Sequence, residues 1–411
     1  MNRERHVVVG GGLAAAKAVE ELRTQGFDGE VALIGDEHEL PYERPPLTKD
    51  YLRGESSREH AQVHSSDFYE EREIELLTGS AISIDTTARS VELDDGRRLD
   101  WTALLLATGA EPHRLSVPGI ELDGIQPLRT VADCDRLRER LARGGPFAVV
   151  GAGWIAAEFA ASARQLGVEV TMIAPAALPL AGVLGPTLGE LFRDLHREHG
   201  VELALGCGVE AFEGDRAVER VRLSDGRAIA CDGAVIAIGV TPRIALAHAA
   251  AIETGDGILV DASLATSAPG VFAAGDVANQ LHPFYERRIR VEHWANALNQ
   301  GPAAARAMLG RPVSYDRLPY FFSDQYDLGM ELRGLPGADD EFIVRGSLES
   351  RELLGFWRAP DGSVSAATNV NVWDVGEHVE ALIRSRAPID AALLADGGTP
   401  LSEIAAAVSS A

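Results

Sequence analysis

The first patterned segment opens at His6 with a short β-branched run, HVVV. A glycine turn follows, then an amphipathic stretch, LAAAKAVEELRTQG, and a second apolar run, VALI, closing at Gly35. The same succession returns at Pro146 as PFAVV, GAG, WIAAEFAASARQLG and VTMI. Short apolar runs flanking a stretch of helical period predict a strand–helix–strand unit. In such a unit the first glycine makes the turn and the second lets the backbone approach a pyrophosphate at the helix N-terminus. A single glycine fingerprint also fits a tight turn in an ordinary α/β sheet. Two copies in the same setting point to two dinucleotides.

Strand-like runs ending in glycine follow each copy: LLLATGA at 104–110 and VIAIGVTP at 235–242; then VFAAGDVA at 271–278 ends a strand with Gly275-Asp276. From about Tyr315 the pattern changes. EFIVRGS and LLGFWRAPDGSVSAATNVNVW alternate like strands, Asp361-Gly362 marks a hairpin, and GEHVEALIRSR reads as a helix. A separate α+β domain is expected there.

Composition narrows the classes. A chain of 411 residues is too long for one core, and 46% apolar residues supply several. A net charge of −24 argues against nucleic acid as a partner, but leaves room for a protein that docks on a local patch. Cys134, Cys207 and Cys231 form no CxxC pair, so neither a redox disulfide nor a cysteine metal site is expected, and a reducing cytoplasm suits them. The segment from His6 to Ala16 imitates a signal peptide, but its glycine spacing is better explained by the turn. The uncharged run from Pro146 is ended by Glu158, short of the ~20 residues a membrane span needs, and no such span is expected.

In the first copy Gly10 makes the turn, Gly12 faces the pyrophosphate, and Ala15 takes the place of a third glycine. Asp36, at the end of the second strand, is the candidate for a ribose. It also reads as a solvated loop carboxylate, and Glu37 beside it would serve equally. In the second copy Gly151, Gly153 and Ala156 take the three places. There the second strand ends in Ala174-Pro175, with neither the acid that favours NAD nor the arginine that favours NADP. The chain has two lysines, Lys17 and Lys49. Lys17 is expected on a solvated helix face. Lys49 follows the proline-stiffened PYERPPLT, and Glu158 lies in the apolar AGWIAAEFAA. A buried carboxylate needs a partner, so a Lys49–Glu158 ion pair is expected. It would be a structural pair, or would steady the charge developing on a flavin near N5.

At these residues the chain resembles the ferredoxin reductases of oxygenase and cytochrome P450 electron chains, relatives of rubredoxin reductases and apoptosis-inducing factor. GGGLAAAKAVEELR, LIGDEHELPYERPPLTKDYL, LLLATGAEP, VVGAGWIAAEFA, FAAGDVA, RVEHWANALNQG, PYFFSDQYDLG and NVNVWDVGEHVEALI occur in the family's order over nearly the whole chain. The resemblance implies an α/β fold like that of glutathione reductase, with two Rossmann-like dinucleotide-binding domains and a C-terminal α+β interface domain. An FAD domain at 1–110 and 239–314 is interrupted by an NAD(P) domain at 111–238, and the interface domain spans 315–411.

It also implies FAD contacts at Gly10, Gly12, Leu13, Ala14, Asp36 or Glu37, Arg44, Lys49, Ile82, Ala107, Thr108, Gly109, Arg129, Gly275, Asp276, Glu292, His293 and Trp294. Ile82 would act through its backbone, Asp276 on the ribityl hydroxyls, and Trp294 beside the isoalloxazine. The nicotinamide cofactor, NADH with NADPH as the alternative, would meet Gly151, Gly153, Trp154, Ile155, Glu158 and Gly239. Lys49, Glu158 and Trp294 are the candidate catalytic residues.

Disulfide reductases of this fold pass electrons to a cysteine pair beside the flavin. Without one, electrons should leave directly, one at a time, to an iron–sulfur ferredoxin. Arg287, Arg288 and Arg290 form a candidate docking patch for such an acidic carrier, or a solvated charge run paired with neighbouring acids. A monomer or weak dimer is expected. Three departures from the family pattern stand out: both fingerprints end in alanine, Ala174 replaces its usual acid with no basic residues in the APAALPLAG that contains it, and Phe322 replaces its frequent tryptophan. A flavin oxidase, or a redox sensor like apoptosis-inducing factor, are the alternative activities.

Overall fold

The computed structural model describes residues 4–409; residues 1–3 and 410–411, at the edges of the first and last expected domains, lie outside them. The chain divides into two compact units.

The first unit comprises the described residues up to Pro46, Ser57–Glu111 and Val240–Arg317. Its main sheet has five parallel strands, in the order Val271–Ala273, Ala103–Leu106, Arg5–Val9, Glu30–Gly35 and Ile74–Thr78. The central strands are continuous apolar runs because both faces are covered; Val7, Val8, Leu104, Leu105 and Leu106 are fully buried. Helix Leu13–Thr24 turns its alanines inward, with Ala15, Ala16 and Ala18 fully buried. Helix Trp294–Met308 packs on it so closely that a Cβ on Gly301 would lie 2.3 Å from the Ala14 carbonyl oxygen. Lys17 is not on an open face: its side chain is 22% exposed and its Nζ lies 2.8 Å from Glu20, which His64 Nε2 also meets at 3.2 Å.

The second unit comprises Leu47–Ser56, Pro112–Gly239 and the described residues from Leu318 onward. Its parallel sheet repeats the first, with strands in the order Val201–Leu205, Val170–Ala174, Phe147–Val150, Gly233–Ile236 and Ile125–Pro127. Helix Trp154–Gln165 follows the glycine turn. The long helix Ala181–Glu198 is broken at Gly185, whose φ of +78° precedes Pro186. The residues from Tyr320 build a five-stranded antiparallel sheet, in the order Tyr320–Gln325, Leu328–Gly334, Val364–Val370, Glu352–Arg358 and Glu341–Ser347. Asp361-Gly362 lies in the hairpin between Glu352–Arg358 and Val364–Val370, and Gly376–Ser385 is a helix, as their patterns predict.

The two parallel sheets share one device. Val9 pairs with Leu106 and Val150 with Ile236, so each first glycine comes up beside the residue ending the neighbouring strand. A Cβ on Gly10 would lie 2.1 Å from the Ala107 carbonyl oxygen, and one on Gly151 2.1 Å from that of Ala237. Both glycines also hold left-handed φ values, +133° and +122°.

Either Gly10→Ala or Gly151→Ala should therefore cost about 3 kcal/mol or more of stability, read as a lower denaturation midpoint of the holoprotein. Stability should also fall in acid. Burial lowers the pKa of His6 to about 4, assisted by Arg23, and burial likewise lowers that of His196 to about 4. The unfolded chain then binds protons below pH ~6.5 that the folded chain refuses until pH ~4. The contribution of each histidine is complete above that window and is lost on descending through it, on the order of 3 kcal/mol at most. Denaturant midpoints measured from pH 7 to 4, with His6→Gln flattening the fall, check this.

Candidate functional site

In the first unit the strand–turn–helix leaves Gly12 extended, at φ −100° and ψ −173°, as the residue preceding the helix. A Cβ there would meet nothing within 4 Å. This is the open, side-chain-free approach that a pyrophosphate at a helix N-terminus requires, and Leu13 and Ala14 begin the helix just behind it. The residues present thus fit a dinucleotide. Ala107 and Thr108 follow the neighbouring strand, and Gly109 turns the chain at φ +68°.

Asp36 and Glu37 follow the second strand and are separately engaged. Asp36 Oδ2 accepts from Arg243 Nη1 at 2.7 Å, while the Arg243 carbonyl accepts from Thr108 Oγ1 at 2.8 Å. Glu37 Oε2 accepts from the Tyr42 hydroxyl at 2.5 Å, and its Oε1 lies 3.4 Å from Arg44. Burial works against the Arg44 charge, but Tyr42, Glu37 and Asp276 outweigh it and raise its pKa. The turn at Gly275-Asp276 is held from beneath: the Gly275 N–H donates to Gln300 Oε1 at 2.9 Å. Glu292, His293 and Trp294 lead into helix Trp294–Met308, with His293 as its cap. Ile82 sits in strand Ala81–Asp85 at a register shift between Ala81 and Ser83, so its backbone stands out of the ladder.

Of the three arginines proposed for docking, Arg290 is paired with Asp256 at 2.9 Å and with Glu292. Arg288 donates to the carbonyls of Val260 and Asn279 at 3.1 and 2.9 Å. Arg287 lies over the Tyr285 ring and is exposed.

In the second unit Gly153 repeats Gly12. It is extended at φ −86°, and a Cβ would again meet nothing within 4 Å. Trp154 and Ile155 start the helix, half-buried. Gly239 holds φ +98° beside His113, whose N–H donates to its carbonyl at 2.9 Å. The Arg129 N–H donates to Asp133 Oδ2 at 3.1 Å, at the start of helix Val131–Leu141. At Ala174 the strand carries no ionic group, and its carbonyl accepts from the Cys207 N–H at 3.2 Å. Arg227 reaches Cys207 Sγ at 3.5 Å, but is itself paired with Asp225 at 2.7 Å.

The expected ion pair is present. Lys49 Nζ lies 2.6 Å from Glu158 Oε2, with side-chain exposures of 15% and 9%. Thr48 Oγ1 donates to the same oxygen at 2.6 Å, and Ser323 Oγ donates to Oε1 at 2.8 Å. The Phe322 ring lies with its centroid 5.6 Å from Lys49 Nζ. Close by, burial raises the pKa of Asp324; Lys49 lowers it, but Glu158 and Glu331 add to the rise.

The supporting residues were not legible in the chain: Arg243, Tyr42 and Gln300 in the first unit, Thr48 and Ser323 in the second. Gly301-Pro302 inside a helical pattern was the one available signal, an unfavourable pair explained by the close approach to Ala14. The three cysteines are free and buried, and burial raises the thiol pKa of Cys134 and Cys231 to about 12. Among the described residues no group of three His, Cys, Asp or Glu could hold a metal, and no helix is long and apolar enough to cross a membrane.

Residues 4–301 match the pyridine nucleotide-disulphide oxidoreductase family, and residues 320–405 the reductase C-terminal family. The 5,5'-dehydrodivanillate O-demethylase ferredoxin reductase subunit of Sphingobium sp. is 39% identical, covering 98% of both chains. The benzene 1,2-dioxygenase system ferredoxin–NAD(+) reductase subunit of Pseudomonas putida is 35% identical, over 97% of this chain and 96% of that one. The structure superposes on the reductase in the covalent putidaredoxin reductase–putidaredoxin complex with a TM-score of 0.95, at 33% identity and 99% coverage of both chains. With its open glycine turns, its fold and these relatives, the chain belongs to the pyridine nucleotide-disulphide oxidoreductase family, among the FAD- and NAD(P)H-dependent ferredoxin reductases.

Proposed function

We propose that this reductase takes a hydride from NADH and delivers single electrons to an iron–sulfur ferredoxin serving a cytochrome P450 or another oxygenase. The observation that carries the reading is the pair of equivalent turns, each opening a bare helix N-terminus at Gly12 and Gly153, in a chain whose cysteines are single and buried. When bound, FAD supplies the exchange between two-electron and one-electron chemistry.

In this reading residues 1–110 and 239–314 hold FAD, 111–238 hold the nicotinamide cofactor, and 315–411 form the interface domain. The first unit offers FAD the turn at Gly10, Gly12, Leu13 and Ala14, and the strand end at Ala107, Thr108 and Gly109. Asp36 or Glu37, Arg44, the Ile82 backbone, Gly275, Asp276, Glu292, His293 and Trp294 complete that set. Lys49 and Arg129 are also proposed FAD contacts. The backbone of Ile82, freed by its register shift, supports a contact to adenine. Gly151, Gly153, Trp154, Ile155, Glu158 and Gly239 meet the nicotinamide cofactor. Lys49 and Glu158 steady the charge that develops during reduction.

NADH is favoured because Arg227, which comes near the end of the second strand, is already paired with Asp225 and is a poor host for a 2′-phosphate. Arg287 and Arg288 remain the docking candidates, since Arg290 is neutralised by two carboxylates. A monomer or weak dimer in the cytoplasm completes the reading.

Anaerobic stopped-flow reduction tests it. NADH should bleach the flavin's visible band at least roughly tenfold faster than NADPH, a ~1.4 kcal/mol preference. Gly153→Ala should keep FAD and lose this response, whereas Gly12→Ala should fold and lose FAD. No bleaching by either nucleotide would replace the reading with a diverged flavoprotein fed by another donor. Rapid peroxide formation without a carrier would make it an oxidase.

A further inference from the structure

Glu158 Oε1 is the end of a hydrogen-bonded chain that the ion pair with Lys49 does not require. Ser323, on strand Tyr320–Gln325, donates its hydroxyl to Oε1 at 2.8 Å. Gln325 Nε2 donates to Ser323 Oγ at 3.1 Å. His196, on helix Ala181–Glu198, has Nε2 3.0 Å from Gln325 Oε1. The Tyr326 hydroxyl lies 3.3 Å from His196 Nδ1.

The directions are fixed by chemistry. A Gln oxygen only accepts, so the proton of His196 is on Nε2, and Nδ1 must accept from Tyr326. Ser323 uses its single proton on the carboxylate and can then only accept from Gln325. Every donor therefore points from Tyr326 toward Glu158. Hydrogen bonds aligned in this way polarise one another in a dry interior, and here Ser323, Gln325 and His196 are at most 1% exposed.

The far end is held at some cost. Tyr326 is the first residue of a two-residue hairpin turn, with Gln325 paired to Leu328, and has a left-handed φ of +57°. Glycine or asparagine normally takes such a position, and a bulky residue there is strained by on the order of 1 kcal/mol. Its ring is stacked on His199 at a centroid distance of 3.6 Å, which fixes the hydroxyl over His196.

We propose that Tyr326, His196, Gln325 and Ser323 are positioning residues, forming a one-way hydrogen-bond chain that fixes the orientation of the Glu158 carboxylate against Lys49. The carboxylate is thereby held from both sides: Lys49 and Thr48 on Oε2, the chain on Oε1. The proposal rests on the reading that Glu158 acts in reduction by the nicotinamide cofactor. It adds that the C-terminal sheet and the helix carrying His196 set the geometry of that carboxylate.

The test uses the FAD-loaded protein. Ser323→Ala and Gln325→Leu should each slow flavin reduction by NADH roughly 3- to 10-fold, with the apparent Kd for NADH within about twofold. Ser323→Thr should restore the rate. In a Glu158→Gln background Ser323→Ala should add less than about twofold, since the acceptor at the end of the chain has changed. A second readout is independent of turnover. Histidine labelled with ¹⁵N should show His196 as the Nε2–H tautomer, with a proton shift that moves in Glu158→Gln and no longer responds to that change once Ser323→Ala is present. Wild-type rates in Ser323→Ala and Gln325→Leu, with Glu158→Gln slowed, would overturn the proposal and leave the role of Glu158 standing. Glu158→Gln reduced at the wild-type rate would overturn both. An Nδ1–H tautomer, or a His196 signal indifferent to Glu158→Gln, would also overturn the chain.

Discussion

The approach of each glycine turn to a neighbouring strand's carbonyl organises both parallel sheets. A Cβ at Gly10 or Gly151 would fall 2.1 Å from an oxygen, so no other residue lets the first strand end where it does. The N–H of each glycine bonds back to the second strand, Gly10 to Ile34 and Gly151 to Ile173, both at 2.8 Å. The turn is thus fastened to two strands at once. Each turn leads into a helix whose N-cap is a glycine, with no side chain to cap the first N–H groups. Such an end attracts a phosphate by its dipole and its free donors together.

Around these turns the two units differ in what they add. The first carries several paired ions: Asp36 with Arg243, Glu37 with Arg44 and Tyr42, and Arg290 with Asp256 and Glu292. Half-exposed pairs of this kind contribute little stability, and their value is in fixing loops. The second unit buries one ion pair, Lys49–Glu158, and satisfies the carboxylate with two hydroxyl groups as well. Burying a charge is tolerable only when its hydrogen-bonding capacity is filled in this way. Three segments distant in sequence meet on that one carboxylate.

Much of this was legible in the chain. The strand–turn–helix copies, the Asp361-Gly362 hairpin and the Lys49–Glu158 pair follow from periodicity, turn chemistry and the cost of a buried acid. Lys17 was misplaced because a lone lysine on an amphipathic helix reads as solvated, and nothing local announces the cover over Glu20 and His64. The arginine run before Trp294 reads as one basic patch, yet Arg290 turns back to Asp256, a residue far away in sequence. Ser323, Gln325 and His196 were invisible for the same reason: a hydrogen-bond chain has no period, and its members come from a helix and a strand widely separated in the chain. Family resemblance proposes the site residues, and the structure shows the hydrogen bonds and ion pairs that support them.

The central claim is that electrons leave this reductase singly and without a thiol intermediate. The most direct measurement is an anaerobic titration with NADH of the triple variant Cys134→Ser, Cys207→Ser, Cys231→Ser, in the presence of excess [2Fe–2S] ferredoxin, followed at the iron–sulfur absorbance. A flavin that splits a hydride should reduce a pair of ferredoxins for each NADH, at the rate of the unsubstituted protein. A variant that still takes the hydride but no longer passes electrons on would place a thiol in the path and contradict the account.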